Sequence, residues 1–222
     1  MKVYFITRFS IFDPTYRFKT NSRGEMDAEK YKGILYHPQR LATKFYAFFN
    51  ITYPSIVSQT DNHWEWHIYV GKQMPSPYID KMKSINHPNI KVIFIEGRED
   101  FDTQVAEYDY GQRYTTVRLD DDDGLSKKYV SVVMAYRNNI GQIISFPMGR
   151  FISIHKNRLL LGARCNKRLL ALGLAGVNMN IYAAGDHTLM ARKYKIKYCM
   201  VPDMYYYFQS MWTDSRIANL IK

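Results

Sequence analysis

The chain has 222 residues, 46% of them hydrophobic and 15% aromatic, enough to bury one sizeable core and too apolar for a wholly disordered chain. Its formal charge is +11, from 31 Lys and Arg against 20 Asp and Glu. That excess points to a polyanionic partner: nucleic acid, an acidic membrane surface or a phosphate-bearing small molecule. The basic residues are dispersed, without the clustered stripe that nucleic-acid binding prefers. No apolar run approaches the roughly 18 residues that cross a membrane. With no small-residue cleavage site after the first strand-like run, the sequence reads as a soluble protein on the cytoplasmic side, whose only membrane contact would be peripheral.

In chain order, the first predicted strand is Val3–Phe9, followed by a polar loop through Arg23 and Gly24. A helix opens at His37-Pro38 with Leu41, Phe45, Phe48 and Phe49 on one face; Pro54 is expected to interrupt it, leaving Ser55–Gln59 as a short second helix. An alternating strand follows at Trp64–Val70. Pro75 and Pro77 start a helix that ends near His87-Pro88, and further strands are predicted at Ile90–Ile95 and Tyr114–Leu119. This β-α-β-α-β order predicts one domain of α/β class around a mostly parallel sheet, divided into halves at residues 1–125 and 126–222.

The second half reads as a helix over Ser126–Asn138, then short strands at Gln142–Phe146, Phe151–His155 and Leu159–Arg164 forming a smaller antiparallel part. A helix over Asp186–Tyr194 and a strand at Lys195–Val201 precede an aromatic tail with Tyr205, Tyr206, Tyr207, Phe208 and Trp212. That tail is read as an element packed on the sheet in preference to a sugar-stacking platform. Cys165 and Cys199 are expected to be buried free thiols.

The chemistry concentrates at Asp120-Asp121-Asp122-Asp123, immediately after the fourth predicted strand. Open α/β sheets bind ligands at the carboxyl ends of their parallel strands. Consecutive carboxylates repel one another and suit a hard cation such as Mg²⁺ or Mn²⁺. A nucleotide diphosphate held through such an ion needs only one or two protein carboxylates, because its own oxygens supply further ligands. The simpler alternative is an acidic loop in which Asp123 caps a helix beginning near Leu125. Glycine-rich phosphate loops are absent, which disfavours a P-loop kinase or a dinucleotide dehydrogenase.

The segment Thr116–Leu125, TVRLDDDDGL, resembles the DxD segment of GT-A glycosyltransferases and, more narrowly, the putative bacterial rhamnosyltransferase family. Phe5–Phe9 (FITRF) and Pro54–Thr60 (PSIVSQT), with Trp64 and Trp66 after it, resemble that family's other segments in the same order. The resemblance implies a GT-A-like α/β/α fold with a nucleotide-diphosphate sugar as donor, a Mn²⁺ or Mg²⁺ cofactor and a glycan or glycolipid acceptor. It implies that Asp120 contacts the nucleoside, that Asp122 ligates the metal and that Asp121 shares either role. By position, Thr7 and Arg8 resemble nucleotide contacts. Arg118 is placed to reach a phosphate or the base, its simpler role being a pair with a neighbouring Asp.

Gly185-Asp186-His187, before the last predicted helix and Val201-Pro202-Asp203, resembles the G-E-D-x-x-L and V-P-D arrangement of inverting GT-A enzymes. There an acidic residue deprotonates the acceptor hydroxyl. Asp186 is the expected base. His stands where the pattern has a second acid, so His187 is an alternative base or a metal ligand, and a helix cap at Asp186 is the plainer reading. Two other classes stay open: a metal-dependent nuclease or phosphoesterase, and a basic nucleic-acid or lipid-binding module.

Overall fold

The computed structural model describes residues 1–13, 28–155, 158–166, 172–185 and 187–208. The first strand, β1 (Lys2–Phe9), shows why a central sheet forms. Its alternate residues Val3, Phe5 and Phe9 enter one apolar cluster, while Tyr4 and Ile6 enter another on the opposite face. A strand buried on both sides must lie between two helical layers.

The layer on the Val3 face starts after α1 (Ala28–Leu35), a short helix the sequence reading left out, with α2 (Pro38–Ala47). Proline at its first turn costs no hydrogen bond. The expected break at Pro54 does not occur. The chain stays helical through a π turn, Phe48–Thr52, into α3 (Tyr53–Val57), where Pro54 again occupies a first turn. The wider turn lets Phe48 stay buried against Phe9 and Trp66.

Next come β2 (Trp64–Gly71), α4 (Ser76–Lys83), β3 (Ile90–Ile95), α5 (Arg98–Glu107) and β4 (Tyr114–Arg118). Helix α5 also escaped the sequence reading: its apolar residues are sparse, and only Phe101 and Val105 are buried. All eight residues of β2 are buried, because β1 and β3 flank it and helices cover both faces. Trp66 is fully buried, worth roughly 2 to 3 kcal/mol for a large apolar side chain. Its indole N–H donates to Thr7 Oγ1 at 2.9 Å.

The second half continues with β5 (Gly124–Leu125), α6 (Tyr129–Met134), β6 (Ile143–Ser145), β7 (Met148–His155) and β8 (Arg158–Asn166). It closes with β9 (Ala175–Val177), α7 (His187–Lys193), β10 (Ile196–Tyr198) and β11 (Tyr205–Phe208). The main sheet has seven strands in the order β10-β6-β9-β4-β1-β2-β3. Strands β1 to β4 pair in parallel, as do β6 and β10; β9 runs antiparallel to its neighbours β4 and β6. A smaller four-stranded sheet, β5-β11-β7-β8, holds the antiparallel hairpin of β7 and β8. The expected three-strand patch is thus split, since β6 joins the main sheet.

The aromatic tail forms β11, as its packing reading anticipated, while Trp212 lies outside the described residues. Tyr205 covers Gly149: a Cβ there would clash with the Tyr205 ring, so glycine is required by close approach. Cys165 and Cys199 are free, the first partly and the second fully buried. No described helix is long and apolar enough to cross a membrane.

Candidate active site at the switch between β1 and β4

From β1 the sheet grows through β2 and β3 on one side, whereas β4 joins on the other. This reversal is a topological switch point, and it opens a crevice at the carboxyl ends of β1 and β4. Strand alternation decides which side chains reach it from each face. Arg8 and Arg118 are in register with Tyr69 of β2 and Ile6 of β1 respectively, at the strands' last turns of pleat, and both project to the face of α5. Asp120 follows Arg118 by two residues and shares that side.

There the two guanidinium groups converge on the Tyr182 ring, Arg8 at 5.2 Å and Arg118 at 5.5 Å from its centroid. Phe101 of α5 is a second face for Arg8, at 5.8 Å. Such contacts orient guanidinium planes. Burial disfavours the Arg8 charge, yet Tyr182 and Asp120 outweigh it and raise the pKa above the ordinary arginine value. Burial likewise raises the Tyr182 phenol, against the lowering effect of the two arginines. Its hydroxyl therefore stays protonated and donates to the Ile6 carbonyl at 3.1 Å. Arg118 Nε is buried without a hydrogen-bond partner among the described residues. Asp120 Oδ1 is 3.8 Å from it, too far for a hydrogen bond. An unsatisfied guanidinium N–H at a crevice marks a place for an anionic ligand.

The rest of the acidic run turns to the other face. Lys44 of α2 reaches Asp121 Oδ1 at 2.7 Å and Asp122 Oδ2 at 2.8 Å, all three side chains being buried. Asp123 is buried too and accepts the Phe208 backbone N–H at 2.8 Å, tying the run to β11. Burial above all, then the Asp122 and Asp120 charges, pushes its carboxyl well above the usual range. The helix-cap reading of Asp123 is therefore replaced. Residues Gly124 and Leu125 form a strand, and the next helix starts only at Tyr129 with Lys128 at its cap position.

The structure thus brings Arg8, Arg118 and Asp120 together and sets Asp121 and Asp122 beside them on the α2 side. Thr7 is apart: its side chain is fully buried on the Trp66 face and its hydroxyl accepts the indole N–H. Asp186 lies outside the described residues. His187 is the first residue of α7, without a described side chain.

Two participants escaped the sequence reading. Tyr182 lay in a stretch without motif. Lys44, by contrast, stands three residues after Leu41 and four before Phe48, inside the apolar stripe of α2. A charged residue on a buried helix face was a legible signal for a buried partner.

Whether a divalent ion fits can be judged from the donors. Carboxylate oxygens are the right ligands, and the Lys44 ammonium on Asp121 and Asp122 acts as a stand-in cation. Among the described residues, no three His, Cys, Asp or Glu side chains converge to form a cage. Asp122 is the carboxylate of the run that would hold such an ion, which would supply positive charge to a bound diphosphate.

Solved structures share this fold. The crystal structure of residues 1–349 of S. aureus TarS superposes with a TM-score of 0.54 at 13% identity, covering 94% of this chain and 60% of that one. The same protein in complex with UDP-GlcNAc gives 0.53 at 12% identity, covering 95% and 59%; its complex with UDP gives 0.51 at 12% identity, covering 95% and 61%. This chain therefore spans about 60% of the TarS segment in those crystals. Its fold is that of the GT-A glycosyltransferases.

The chain belongs to the family described as putative rhamnosyl transferases, whose family model matches residues 2–214. No curated protein sequence matches it.

Proposed function

We propose that the enzyme is a metal-dependent, inverting transferase. It moves a hexosyl or deoxyhexosyl group from a nucleotide-diphosphate sugar to a glycan, polysaccharide or glycolipid acceptor. The observation that carries this reading is the convergence of Arg8, Arg118 and Asp120 at the β1/β4 switch point, with the Arg118 N–H unsatisfied. The TarS complexes with UDP-GlcNAc and UDP, which share the fold, support a uridine-type donor.

In this reading residues 1–125 hold the donor and residues 126–222 the acceptor. Arg8 and Arg118 meet the diphosphate, held in orientation by Tyr182. Asp120, the one half-exposed carboxylate of the run, faces the nucleoside, and Asp121 lies between the two roles. Asp122 is the residue that holds Mn²⁺ or Mg²⁺, and such an ion supplies charge neutralisation to a departing diphosphate. Asp186, which precedes His187 in the sequence, is the base that takes the acceptor hydroxyl's proton. His187, beside it, is the second candidate for that proton or for the ion. The +11 charge is dispersed along the sequence and does not call for nucleic acid as the partner; peripheral contact with an acidic membrane bearing the acceptor suits it.

The test is thermal unfolding with UDP and Mn²⁺. Saturating ligand at about 100 times its Kd stabilises by about 2.7 kcal/mol, a rise of several degrees. Asp122→Ala is expected to remove the Mn²⁺-dependent part of that rise. No stabilisation by any nucleoside diphosphate, with or without metal, would sink the reading.

A further inference from the structure

Four aspartates in succession pose a charge problem, and the chain answers part of it from a distant helix. Asp121 and Asp122 are 5% and 7% exposed, too dry for water to screen two neighbouring carboxylates. Lys44, 5% exposed, enters from α2 and places one ammonium within hydrogen-bond distance of both. Its position on the inward stripe of α2, between Leu41 and Phe45, fixes the lysine stem against the core. A lysine ammonium is a compact point charge that binds carboxylate oxygen from any direction. It therefore asks of Asp122 the same oxygen chemistry as a hard divalent ion does.

We infer that Lys44 is the positioning residue of the acidic run: the resident counter-ion of Asp121 and Asp122, which a divalent ion must displace from Asp122. The inference rests on the reading of Asp122 as the residue that holds the ion. Lys44 keeps the run folded and oriented while no ion is bound, and it sets a threshold that free metal must overcome.

The test is a titration with Mn²⁺ alone and with Mn²⁺ plus UDP, following free Mn²⁺ by its paramagnetic resonance signal. Lys44→Met keeps the length of the side chain and removes its charge. Where that variant does not fold, Lys44→Gln takes its place. The half-saturating Mn²⁺ concentration is expected to fall about tenfold in the variant, because a unit positive charge a few ångströms from the site is gone. Lys44→Arg is expected to stay close to the wild type. A half-saturating concentration that is unchanged or higher in Lys44→Met, or no Mn²⁺ bound by either protein, would overturn the inference. A wild type that binds Mn²⁺ but no nucleoside diphosphate counts against the transferase reading alone, since the metal-only titration still reports on Lys44.

Discussion

Asparagine in place of Asp122 is expected to lower kcat/KM for sugar transfer by about 10³-fold, the usual scale for removing one charged group that meets developing charge. The melting temperature should move little by comparison. Asparagine keeps an oxygen where Oδ2 accepts from Lys44 at 2.8 Å, and Asp121 still neutralises the ammonium. Activity and stability therefore separate in this variant. Initial rates across donor concentrations, with melting curves on the same samples, check the point. A fall in activity that tracks unfolding would give Asp122 a structural role only. Full activity would remove it from the site.

At the opposite end of the sheet, a second charge cluster is expected to govern acid stability. Glu65, near the start of β2, accepts from His67 Nε2 at 2.6 Å, Lys2 at 2.6 Å and the Tyr108 hydroxyl at 3.0 Å, and pairs with Lys91 at 2.6 Å. Burial pushes the Glu65 carboxyl up, but these partners outweigh it and hold its pKa well below the ordinary value of 4.5. The folded protein thus takes up a proton at Glu65 less readily than the unfolded chain. The stability gained is present above pH 4.5 and is lost as pH falls below it towards the folded pKa.

His67 acts in the same direction. Burial lowers its pKa below 6.5 against the raising effect of Glu65, so the ring stays neutral when folded and stability begins to fall once pH drops through that value. Glu65→Gln is expected to cost about 2 kcal/mol at pH 7, discounted for the half-exposed lysines, or roughly 4 to 8 °C. It is also expected to flatten the melting curve's dependence on pH below 4.5. A variant that melts like the wild type at pH 7, or that keeps the full acid slope, would contradict the assignment.

The parallel core was legible because its strands are long, apolar and separated by crossovers. Ile90–Ile95 is predicted and observed with the same bounds, and β1, β2 and β4 differ by a residue at an end. Helix α5 was not legible: two buried side chains in ten give no amphipathic stripe. Nor was β9, whose three residues are strand only through pairing with β4 and β6. Short strands take their state from tertiary neighbours more than from their own composition.

At the site, the RLDDDD segment located the crevice, but it carried no information on how the four carboxylates divide. That division follows from strand alternation running out at Arg118. Asp120 stays on the arginine face, Asp121 and Asp122 meet Lys44, and Asp123 turns to β11. Sequence neighbours thereby acquire three different environments. The repulsion that argued for a bound ion is already met, in part, by a lysine 77 residues upstream of Asp121.

The most direct measurement is the release of nucleoside diphosphate from a panel of nucleotide-diphosphate sugars, with Mn²⁺ and a lipid-linked or polysaccharide acceptor extract present. The account predicts release from at least one donor, dependent on Arg118 and Asp122 and lost in Asp122→Asn. Release from no donor above the rate in buffer, by a folded protein with its crevice intact, would contradict it.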